Sequence, residues 1–110
     1  MTDHLLVDKS GGVATITFNR PESRNAMSIE MRGKLIESML DIERDATVRC
    51  VVLRGAGENF MAGGDLKKFA ELAELPSEQR YSHFEQRIHV IQPLLISMQR
   101  MHKPVVAVVQ

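Results

Sequence analysis

The sequence has no tryptophan, one tyrosine, four phenylalanines and one cysteine, and its fourteen basic side chains are cancelled by fourteen acidic ones. Each shortage excludes something. The single cysteine, Cys50, rules out an internal disulfide. It lies in the apolar run Cys50-Val51-Val52-Leu53 with no basic neighbour closer than Arg49, which makes it a buried small hydrophobe rather than a nucleophile. Balanced charge without a run of five like residues leaves no electrostatic footprint for nucleic acid or an anionic membrane, so any anionic ligand must be met locally. No apolar stretch approaches the ~18 residues of a membrane span, and Met1 to Asp8 carries acidic residues without the apolar centre of a leader, so a cytoplasmic protein is expected. His4, His83, His89 and His102 lack the paired spacing of a ligand set, and no metal is expected.

What is present suits one globular domain. At 110 residues with 44% hydrophobic and 25% charged positions, the chain has material for a single core. A domain of this size buries only about two-thirds of the surface its unfolded chain exposes, so losing a packing partner would be costly.

Leu5-Leu6-Val7-Asp8, the Gly11-Gly12 turn and Val13-Ala14-Thr15-Ile16-Thr17-Phe18 read as a hairpin, with Ala14, Ile16 and Phe18 on one face. Asn19 to Asn25 breaks the periodicity. Ser28 is a plausible N-cap for an amphipathic helix running to about Arg44, with Leu35, Met39 and Ile42 on its apolar stripe and Ile36 and Leu40 widening it. Arg49 to Arg54 encloses an apolar run suited to a parallel strand covered on both faces. After a glycine-rich loop, Asp65 caps a short helix from Leu66 to about Leu72. Tyr81, Phe84, Ile88, Ile91, Leu95 and Met98 then mark a long helical stripe, in which Pro93 predicts a kink or two abutting helices. Lys103-Pro104 ends it, and Val105 to Val109 reads as a buried strand with an apolar edge that favours association. Strand, helix, strand makes the fold class α/β.

In such an arrangement functional groups gather at the carboxyl ends of strands, which singles out the loop Gly55 to Asp65. Gly63 and Gly64 permit close approach, and the helix after Asp65 begins with unpaired amides that suit an oxyanion or a phosphate. The same residues also make a plain tight loop, and spacing does not choose between the two. Neither nucleotide-binding glycine motif, Gly-x-x-x-x-Gly-Lys-Ser/Thr or Gly-x-Gly-x-x-Gly, is present.

Three ordered segments carry a resemblance. Asn19-Arg20-Pro21-Glu22-Ser23-Arg24-Asn25-Ala26 is similar to the Asn-Arg-Pro-x-x-x-Asn-Ala segment of enoyl-CoA hydratase/isomerase (crotonase) family proteins. Gly55-Ala56-Gly57-Glu58-Asn59-Phe60-Met61-Ala62-Gly63-Gly64-Asp65-Leu66-Lys67 resembles the family's glycine-rich loop, and Lys103 to Gln110 resembles a strand that leads into a glycine-rich turn. The resemblance covers the whole chain but only the N-terminal part of the family's single domain, a spiral of ββα units.

The resemblance implies an acyl-CoA enzyme, hydratase or isomerase, of the kind used in fatty acid metabolism. Such enzymes hold the thioester oxygen of an enolate-like transition state between two backbone amides. One amide would be that of Gly64, where the family more often has alanine; Asp65 and Leu66 would shape the thioester pocket, Ala62 would lie near the CoA adenine, and Arg24 and Ala26 would line the CoA groove. Coenzyme A would enter as part of the substrate, with no separate cofactor. The second amide and the acid/base carboxylates would lie beyond Gln110, so the isolated chain is expected to be inactive. Glu58 and Glu71 are carboxylates near the loop to which no catalytic role is given, and Asp65 is explained as a cap. The complete protein would be a homotrimer or a hexamer. The alternative is a non-catalytic CoA-binding or assembly module.

Overall fold

The computed structural model describes residues 3–110. Strands β1 (Leu5–Ser10), β2 (Val13–Phe18), β3 (Cys50–Gly55) and β4 (Val105–Ala107) form one sheet in the order of the chain. β1 pairs antiparallel with β2 through the Gly11-Gly12 turn, where both glycines have positive φ; β2 with β3 and β3 with β4 are parallel. Parallel neighbours need crossovers, and the helices supply them: α1 (Ile29–Arg44) joins β2 to β3, and α2 (Leu66–Ala73) with α3 (Ser77–Arg100) joins β3 to β4.

The core lies between one sheet face and α1. Ala14, Ile16 and Phe18 of β2 and Val51 and Leu53 of β3 meet Met31, Leu35, Met39 and Ile42 of α1, all buried, and Leu94 of α3 closes the cluster. α1 starts where Ser28 Oγ accepts from the Met31 amide at 3.0 Å. Its far end is held by Lys103, whose ammonium donates to the carbonyls of Ile42 at 2.5 Å and Asp45 at 2.6 Å. Leu40, expected to widen the apolar stripe, is instead 48% exposed, because the face that meets the sheet is narrower than the hydrophobic pattern.

Four expectations need correction. β3 is covered on one face only: Val51 and Leu53 are buried, whereas Cys50 and Val52 are half-buried, because none of the described residues forms a layer on the opposite face. The chain's last strand stops at Ala107, and Val106, Val108 and Val109 are exposed for the same reason. In α3 the periodic stripe is largely outside: Tyr81, Ile88 and Leu95 are exposed, while Leu94 is buried and Ile91 and Met98 are partly so. α3 is one continuous helix through Pro93 rather than two. At 24 residues it is about 36 Å long, more than the sheet can cover, and the radius of gyration of 15.1 Å exceeds the ~13 Å usual for this length.

Candidate functional site

The loop leaving β3 folds back on itself at once. A side chain on Gly55 would strike the carbonyl oxygens of Asn59 and Phe60, so only glycine fits there. The Ala56 amide donates to Phe18 O at 2.9 Å, and Phe60 packs edge-on against Phe18 with ring centroids 5.5 Å apart, which ties the loop to the sheet.

A second loop, after β2, holds the first in place. Asn25 is wholly buried, accepts from the Arg20 amide at 2.8 Å, and donates to the carbonyls of Ala56 at 2.9 Å and Asn59 at 2.7 Å. Arg24 and Asn25 both have positive φ, 53° and 59°, a conformation asparagine tolerates better than most residues. That turn aims the following backbone at the glycine loop: Ala62 donates to Arg24 O at 3.0 Å, Met27 donates to Gly63 O at 2.7 Å, and Met27 and Gly64 form a parallel bridge.

Gly64 therefore sits on a short ladder and not in free loop. Among the described residues, no group accepts from its amide; the amides of Gly63 and Asp65 are likewise without an acceptor, whereas those of Ala62 and Met27 are paired. Asp65 caps α2, its carboxylate accepting from the Lys67 amide at 3.1 Å, and its other oxygen lies 3.5 Å from the Arg20 guanidinium. Arg20 also donates to Ala26 O at 2.8 Å and is mostly buried, so it clamps both loops from beneath.

A cavity of about 400 Å³ opens at this junction, and every residue nominated from the sequence borders it: Arg24, Ala26, Ala62, Gly64, Asp65 and Leu66. Arg24 and Leu66 are exposed at the rim, and Ala26 is buried. Glu22, Ser23, Lys67 and Phe69 complete the wall. A second, more apolar cavity of about 270 Å³ shares Gly64 and Phe69 and continues between α1 and α3 along Met27, Phe84, Ile88 and Ile91. The Phe69 ring occupies the place a Gly64 side chain would take; this accounts for glycine there in place of the commoner alanine. Phe84 at 5.5 Å between ring centroids and the Arg87 guanidinium 5.0 Å above the ring hold Phe69 in position.

Chemically, the junction offers an unpaired amide in a concave, partly apolar setting, cationic side chains Arg24 and Lys67 at the rim, and a carboxylate already committed to a cap and an ion pair. Sequence reasoning did not assign roles to Arg20, Asn25 or Phe69. The first two lay inside a quoted motif, which was the available signal; Phe69 had none beyond its place in α2.

The enoyl-CoA hydratase/isomerase family model matches residues 8–110. The chain is 46% identical over 66 residues to the 1,2-epoxyphenylacetyl-CoA isomerase of Escherichia coli K12, covering 60% of this chain and 25% of that protein. It is 34% identical over 105 residues to enoyl-CoA hydratase EchA19 of Mycobacterium tuberculosis, covering 96% of this chain and 38% of the other. The structure superposes with a TM-score of 0.85 on an enoyl-CoA hydratase/isomerase from Xanthobacter autotrophicus Py2, at 32% identity, over 100% of this chain and 39% of that one. The chain thus spans between a quarter and two fifths of the length of these proteins. No helix among the described residues is long and apolar enough to cross a membrane. With the α/β crotonase-like fold matched along its whole length and both loop motifs brought to one cavity, the chain belongs to the enoyl-CoA hydratase/isomerase family.

Proposed function

We propose that this chain binds the thioester end of an acyl-CoA, with the Gly64 amide donating to the thioester oxygen as one half of an oxyanion hole. The observation that carries the reading is the unpaired Gly64 N–H at a cavity bordered by Arg24, Ala26, Ala62, Asp65 and Leu66. A backbone donor fixed by the Met27 pairing needs no reorganisation when charge develops on the oxygen, and the apolar lining of the second cavity suits an acyl chain beside it. Arg24 and Lys67 at the rim suit the phosphates of CoA.

The reaction of the whole protein would be hydration of an enoyl thioester or migration of its double bond. Both pass through an enolate-like oxygen that such an amide stabilises. Each also needs a proton-transfer group. Asp65 is spoken for by the Lys67 amide and Arg20, so the 110-residue chain is expected to bind without turning over. Assembly into a trimer or hexamer belongs to the same proposal for the whole protein, supported by apolar side chains left outside on the sheet and α3, such as Leu6, Val106 and Leu95. These also favour the second reading, an assembly module that retains a CoA surface.

Calorimetric titration with CoA and with crotonyl-CoA, alongside a hydration assay, tests the proposal. Binding of both with no turnover is expected. Absence of any CoA binding would sink the site assignment, and efficient turnover would sink the claim that acid/base groups are missing from this chain.

A further inference from the structure

Arg87 braces Phe69 yet keeps a buried nitrogen without a partner, as Arg20 does at Nε. It lies on α3, its Nη1 is shut away from water with no hydrogen-bond partner, and burial first, then the nearby charge of Arg32, holds its guanidinium below its ordinary value against the opposing pull of the Asp65 carboxylate. A shielded N–H without an acceptor is costly and calls for a partner. Neither Arg32 nor Arg87 forms an ion pair with any of the described residues.

Both arginines border the apolar cavity that begins at Gly64, and no carboxylate borders it. They also border a cavity of about 510 Å³, where Lys68, His83 and His89 are the other titratable side chains. Two cations bordering one small apolar cavity repel one another unless an anion lies between them. We infer that the cavity beside Gly64 accepts an acyl chain ending in a carboxylate, which Arg87 and Arg32 hold at the end remote from the thioester. Met27, Phe84, Ile88 and Ile91 line the methylene path, and the planar guanidinium of Arg87, braced over Phe69, presents a fork suited to a carboxylate. This rests on the acyl-CoA reading of the Gly64 site and narrows it to thioesters of dicarboxylic acids.

The test is calorimetry of the full 110-residue chain with glutaryl-CoA and adipyl-CoA against hexanoyl-CoA. At least one dicarboxylic thioester is expected to bind about tenfold or more tightly than hexanoyl-CoA, as a charge-assisted pair would give. Arg87→Gln and Arg32→Gln, examined separately with circular dichroism to verify folding, are each expected to collapse that ratio. Equal affinities for charged and uncharged chains in the unaltered protein, a comparison that needs no variant, would overturn this inference and leave the Gly64 site standing. A ratio that survives both substitutions would overturn it as well. Failure of all three thioesters to bind would overturn the acyl-CoA reading and this inference with it.

Discussion

The side-chain nitrogen of Asn25 donates at 2.7 Å to the carbonyl of Asn59, thirty-four positions along the chain, while its oxygen accepts from the Arg20 amide. One buried amide thus fastens the two loops that form the site. Replacing Asn25 by alanine leaves two carbonyls and one N–H short of partners and puts a less tolerant residue at φ 59°. The expected loss is about 2–4 kcal/mol, read from urea denaturation, together with weaker CoA binding. A loss below about 0.5 kcal/mol, the range of ordinary surface changes, would show that the loops hold without it.

Gly64→Ala puts a methyl where the Phe69 ring lies, and Phe69 is itself fixed by Phe84 and Arg87. Overpacking of this kind costs about 1–3 kcal/mol. Phe69→Ala should relieve it, so the double variant is expected to lose less than the sum of the two single ones. Strict additivity in a double-mutant cycle would mean that the ring is not the obstacle.

Lys103, distant in sequence, caps the end of α1, its ammonium meeting the carbonyls of Ile42 and Asp45. Lys103→Met keeps the stem and removes the donors; a loss of about 1–3 kcal/mol is expected, with faster amide exchange confined to the last turn of α1. Unchanged exchange there would refute the capping role.

The contact of β1 with the end of α1 is expected to weaken at both extremes of pH. Lys9 lies 2.7 Å from both Asp41 and Asp45; hydrogen bonds from Lys9 and then from Thr47 hold the Asp45 carboxyl well below its ordinary 3.8. Its folded value is the lower one, so its contribution is present above ~4 and is lost as pH falls toward that lower value. Lys9 moves the other way: bonds to Asp41 and Asp45 raise it above its ordinary 10.5, so its contribution is full below 10.5 and is lost as pH rises through the raised value. Thermal melts across pH should therefore show Asp45→Asn flattening the acid limb, with the difference shrinking in high salt because the groups face solvent. An acid limb identical in both proteins would exclude this pair as its origin.

Where local rules were sufficient, the sequence was a good guide. The Gly11-Gly12 hairpin, the Ser28 cap with α1 ending at Arg44, and α2 after Asp65 all lie where turn chemistry and periodicity put them, because each is decided within a few residues. Burial was read less well at Cys50, along α3 and at Val108. Apolar periodicity states a capacity to be covered, and whether a layer arrives is a property of distant chain. The cavity residues were legible through the resemblance of two loops, whereas Arg20 and Phe69 were not, since their roles exist only once Asp65, Ala26 and Gly64 have been brought beside them.

The bridge between Met27 and Gly64 joins two loops edge to edge, with Met27 donating on one rung and Arg24 accepting on the next. In any extended pairing, successive amides point to opposite sides. Adding or deleting one residue between Asn25 and Met27, or between Ala62 and Gly64, would exchange the faces of the N–H and C=O groups at this edge, and where the proposed oxyanion donor stands a carbonyl would repel an oxygen anion. Under the acyl-CoA reading proposed above, indels at this crossing are expected to abolish thioester binding in proteins that still fold.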